Sequence, residues 1–114
     1  SLLHTEALQK IIRSNRNRLE IEMHELILDI MESVGTDTFS FDCNDIFLLL
    51  RYSQAKVEKH QVRRVLKECW KLNPAPNTLT YTTYQLDYTR DCHYSPMRKT
   101  GRFYTVTKSF LETL

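Results

Sequence analysis

A chain of 114 residues with a formal charge of +2 and ordinary apolar and charged fractions fits one domain with a modest single core. Two Gly and three Pro argue against a loop-rich or disordered chain, and three Cys do not make a disulfide framework. No apolar run nears the roughly 18 residues needed to cross a bilayer, and no signal-peptide pattern stands at the N-terminus, so an intracellular, reducing location (cytoplasm with the nucleoid, or nucleus) is expected.

Leu3, Ala7, Leu8, Ile11 and Ile12 suggest a short first helix, which Ser14-Asn15-Arg16-Asn17-Arg18 ends or bends. Residues 1–18 thus read as an N-terminal helical appendage to a domain over 19–114. The next helix is the clearest element. Leu19, Met23, Leu26, Ile27, Ile30, Met31 and Val34 form one continuous stripe, and Gly35 follows as its stop. Ile21 and Leu28 lie off that stripe and need a second contact, from the first helix or from another subunit. With Leu3, Leu8 and Ile12 they are the candidate homodimer surface.

Thr38-Phe39-Ser40-Phe41 alternates as a very short strand. Asp42 or Asn44 then caps a helix through Ile46, Phe47, Leu49 and Leu50, ending near Tyr52. After a turn over Ser53 to Val57, Glu58 to Leu72 reads as a further helix, with Val62, Val65, Leu66, Cys69 and Trp70 inward. Asn73-Pro74-Ala75-Pro76-Asn77 breaks it. Thr78 to Arg90 is strand-like, with a bulge or bend between Tyr81 and Tyr84, where the apolar phase shifts. Asp91 to Gly101 reads as a long hairpin loop, and Arg102 to Thr107 as a return strand with Tyr104 and Val106 inward. Phe110, Leu111 and Leu114 form a last helical turn on the core.

Charge is segregated along this order. Leu19 to Asp45 holds eight acids and no Lys or Arg, whereas Arg51 to Lys108 holds twelve Lys/Arg against four acids. A surface with that polarity attracts polyanions on one side and repels them on the other.

The order helix, short strand, helix, turn, helix, strand, long basic loop, strand resembles a winged helix-turn-helix domain, over about Leu19 to Thr107. Gln61 to Leu72 looks like that superfamily's recognition helix. Thr100-Gly101-Arg102-Phe103-Tyr104-Thr105-Val106-Thr107 looks like its wing-closing strand, with Gly and Arg at the tip. The resemblance implies an α+β winged helix-turn-helix fold with an extra N-terminal helix and a long β-hairpin wing. It also implies a non-enzymatic, sequence-specific binder of double-stranded DNA, a transcriptional regulator, that acts as a homodimer.

The residue chemistry fits that expectation. Lys56, Lys59, Arg63, Arg64, Lys67 and Lys71 supply positive charge along the third core helix, and His60, Gln61, Arg63 and Arg64 are types that bond base edges. Gln61 and Arg63 are the first choices for base contact. Arg98, Lys99 and Arg102 in the wing suit backbone or a narrow minor groove. The acidic helix is expected on the far side.

No zinc-ligand spacing, phosphate loop or nucleophile motif occurs, so no metal, cofactor, small-molecule ligand or catalysis is expected. The paired acids from Glu22 to Glu32 read as a solvated face. Two alternatives stand beside DNA binding: a winged-helix protein–protein module, and the DNA-binding part of a replication initiator or DNA-processing protein.

Overall fold

The computed structural model describes residues 18–86 and 92–114. They form an α+β domain: helix α1 (Arg18–Val34), strand β1 (Thr38–Phe41), helix α2 (Cys43–Tyr52), helix α3 (Lys59–Arg64) continued by a π-helical turn (Val65–Cys69), strands β2 (Ala75–Leu86) and β3 (Cys92–Thr107), and a short helix α4 (Lys108–Glu112). The expected first helix, with Leu3, Leu8 and Ile12, lies outside the described residues. Among those described, no helix is long and apolar enough to cross a membrane.

The stripe of α1 works as its spacing requires. Met23, Ile27 and Met31 are wholly buried, and Leu19, Leu26 and Leu28 pack partly against them. Gly35 takes the left-handed conformation (φ +79°), and Gly35 N and Thr36 N both donate to Met31 O, closing the helix. Val34 departs from the expectation. It is 72 % exposed, since the last turn runs past the core that the rest of the stripe covers.

Asp42 caps α2. Its Oδ1 accepts from Asp45 N at 2.7 Å, and Asp45 Oδ2 accepts from Asp42 N at 3.3 Å. Ile46 and Leu50 face the core, Phe47 is half-buried, and Leu49 turns outward. Gln54 closes the helix with φ 65°, while Ala55 N donates to Leu50 O.

The third core helix is not α-helical throughout, and that corrects Cys69. Through the π turn, Trp70 N donates to Val65 O, which adds a residue to that turn. The inward place after Val62 and Leu66 falls to Trp70, which is buried edge-on against Phe110, and Cys69 is exposed. Lys71 ends the element with φ 56°, and Leu72 N donates to Leu66 O.

The sheet order is β1-β3-β2, antiparallel throughout. Phe41 stacks on Tyr104 across β1 and β3, and Tyr104, Val106 and Leu111 complete the core. The expected hairpin is corrected in three respects. β2 starts at Ala75, despite its two flanking prolines. The segment read as a loop is strand from Cys92 onward, because the β-prone run of β2 takes it as a partner in unbroken register from Ala75↔Phe103 to Leu86↔Cys92, with no bulge. Gly101 and Arg102 pair with Asn77 and Pro76 near the base of this ribbon and not at its tip. The connection between the strands lies outside the described residues.

Candidate functional site

α3 presents two faces that differ in how its charges are used. On one face, Lys59, His60, Arg63 and Lys67 are exposed, with Lys56 just before the helix. Their spacing places them on one stripe. Among the described residues none of these five side chains is in an ion pair.

The burial of neighbouring groups locates this stripe against the sheet. The Cys43 thiol is raised by burial, opposed by the charges of Arg63 and Lys59, and it donates to Lys59 O at 3.8 Å. The Tyr104 phenol is raised by burial, opposed by Arg63 and Arg102. Arg63 of α3 and Arg102 at the ribbon base, 39 residues apart in sequence, both act through their charges on that phenol.

The other face of α3 is engaged internally. Gln61 Oε1 accepts from Glu58 N at 2.8 Å, as half of the cap at the start of α3. Arg64 Nε lies 3.1 Å from Glu68 Oε2 in an exposed i,i+4 pair. Gln61 and Arg64 line a cleft with Arg18, Glu22, Lys56 and Cys69. Glu20 reaches the Cys69 thiol and raises its pKa. The first turns of α1 thus sit beside α3, which corrects the expectation that the whole acidic helix lies on the far side. The start of α1 and the π turn pack together, and Glu22 shares the cleft with Arg64.

The ribbon cations divide similarly. Lys99 is half-buried and bridges Asp42 and Asp45 at the start of α2, with Asp45 Oδ1 at 3.4 Å. The bond to Asp42 raises the ammonium's pKa. Burial by itself would raise the Asp42 carboxyl, but Lys99 and the bonds from Asp45 outweigh it and hold that carboxyl below its ordinary value. Arg102 Nη2 donates to Pro74 O at 3.1 Å, which ties one corner of the guanidinium while the residue remains exposed. Arg98 is exposed with no ion-pair partner among the described residues.

Of the ten sequence candidates, Lys56, Lys59, His60, Arg63, Lys67 and Arg98 offer an open donor surface among the described residues. Gln61, Arg64 and Lys99 already hold protein partners, and Arg102 is exposed but bonded in part to Pro74 O. Of the dimer candidates described, Leu28 packs against the core and Ile21 is half-buried. One exposed apolar patch was not anticipated: Leu48, Leu49 and Tyr52 on the outer side of α2, with Tyr52 88 % exposed. Comparison with protein families, with curated proteins and with solved structures found no match to this chain.

Proposed function

We propose that this chain is a winged helix-turn-helix domain that binds double-stranded DNA without catalysing a reaction, as a sequence-specific regulator of transcription. The element order and the β1-β3-β2 sheet support the fold assignment. The observation that carries the DNA assignment is the stripe Lys56, Lys59, His60, Arg63 and Lys67, exposed and in no ion pair among the described residues. Such a helix enters a major groove with its cations on phosphates and its Arg and His reaching base edges. Arg63 is the first choice for a guanine contact, with His60 next. Gln61 ranks below both, because reading a base would remove its bond to Glu58 N. The ribbon, through Arg98 and Arg102, lies on the flanking backbone or minor groove.

The test is fluorescence anisotropy on a duplex selected from a random pool, titrated with salt. Lys56, Lys59 and Lys67 with Arg98 and Arg102 on five phosphates give a slope of log affinity against log salt of about −4 to −5. A flat salt response, or no duplex enriched over the starting pool, overturns the reading. A protein–protein module is the second reading, favoured by the exposed Leu48, Leu49 and Tyr52. That flat response, together with loss of partner capture in Tyr52→Ala, would favour it.

A further inference from the structure

β2 is the outer strand of the sheet, and its free edge falls into two parts. The base is closed. Pro76 has no N–H, and Asn77 Oδ1 accepts the Thr78 N–H at 2.8 Å. The Thr78 and Thr100 hydroxyls meet at 3.0 Å, the close approach of a strand pair that exchanges no main-chain bonds. The register carries that phase along the ribbon without a break. The main-chain groups of Thr80, Thr82, Tyr84 and Leu86 therefore point away from β3, and among the described residues no strand meets them.

The open stretch from Thr80 to Leu86 reads TYTTYQL, with no charge, no Pro and no Gly. An exposed edge of that composition is a template for another strand, and charge or Pro is the usual guard against it. β3 has that guard. Pro96 pairs with Thr82, so in the same phase its missing N–H falls on the outer edge of β3, followed by Arg98 and Lys99.

We propose that two copies of this chain associate through β2, antiparallel, about a two-fold axis at Thr83. The phase allows it. With Thr83 on the axis, Thr80 faces the partner's Leu86 and Thr82 faces the partner's Tyr84, so every pair joins outward main-chain groups on both sides. About eight main-chain hydrogen bonds result, and the sheet continues from one copy into the other. Charge favours this edge over the α3 surface. Each copy carries a net +2, and an uncharged strand meets its own copy without apposing like charges, whereas two α3 stripes would set cations against cations. A two-stranded ribbon is marginal by itself, and four strands side by side are more stable. The association is reversible and concentration-dependent.

This inference rests on the ribbon backbone and not on the DNA reading, so the test uses the full chain without nucleic acid. Sedimentation velocity is recorded across a dilution series for wild type, Thr83→Lys and Thr83→Glu, with circular dichroism to check the fold. The wild type is expected to move from monomer to dimer with concentration. Each variant alone stays monomeric, since like charges meet across the axis. The one-to-one mixture of the two variants regains the dimer, because Lys then faces Glu. A wild type that stays monomeric to its solubility limit overturns the proposal. So does a dimer that both variants retain, or a mixture that stays monomeric.

Discussion

α3 and the base of the ribbon are equally basic in sequence, yet they differ in what they offer a polyanion. Along α3, Lys59, His60, Arg63 and Lys67 face solvent, in no ion pair among the described residues. At the ribbon, Lys99 bridges Asp42 and Asp45, and Arg102 is tied to Pro74 O. A count of Lys and Arg is therefore not a count of available charges. Lys99 serves as a clamp between β3 and the start of α2, and the acids it holds belong to the segment that was expected to stand apart.

The sharpest way to break this comparison is through the phase of α3. If the π turn sets which side chains face outward, Trp70→Ala should cost about 3–5 kcal/mol of stability. Cys69→Ala should stay within about 0.5 kcal/mol, as at other exposed sites. Urea denaturation of both variants checks it, and equal losses would refute the inward placement of Trp70.

Next in size is the stripe itself. Lys59→Ala with Arg63→Ala should weaken duplex binding by about 10- to 100-fold and make the salt slope shallower by about 1. Anisotropy titrations at several salt concentrations measure both, and an unchanged slope would count against phosphate contact by this face.

The clamp comes third. Lys99→Met should cost up to about 1 kcal/mol, the range of a pair partly screened by solvent. Its pH dependence has a definite sign. Asp42 is depressed on folding, so its contribution is present above its ordinary value of 3.8 and is lost as pH falls through the folded value. Lys99 is raised, so its contribution is complete below its ordinary value of 10.5 and is lost as pH rises through the folded value. Denaturation curves across pH should show both limbs flattened in Lys99→Met.

The smallest expected effect is at Arg64. Its exposed pair with Glu68 contributes about 0.3–0.5 kcal/mol, and Arg64→Ala should lower duplex affinity less than Arg63→Ala. A larger loss at Arg64 than at Arg63 would reverse the assignment of the two faces.

Much of the fold was legible because it depends on local patterns. The four-residue spacing of Met23, Ile27 and Met31, the Gly35 stop and the Asp42 cap each act within a few residues of themselves. The candidate site was legible only as a set of charges. Nothing local marks Gln61 as a cap partner in preference to a base reader, since both roles use the same amide. Nor does any local signal link Lys99 to Asp42, which lies 57 positions earlier. The β-prone run after Asn77 announced a strand, but its partner was hidden by Pro96, normally a mark of a loop. Pro96 is tolerated because its missing N–H falls on an outer edge.

Local pattern along the chain was enough for the succession of helices and strands, the core stripe of α1, and acids leading with cations following. Packing settled which cations remain open, that Trp70 and not Cys69 enters the core, and that Glu22 of α1 shares a cleft with Arg64. Periodicity acts over a few residues and survives in any context. Pairing depends on distances between segments remote in sequence, which exist only once the sheet and helices have packed.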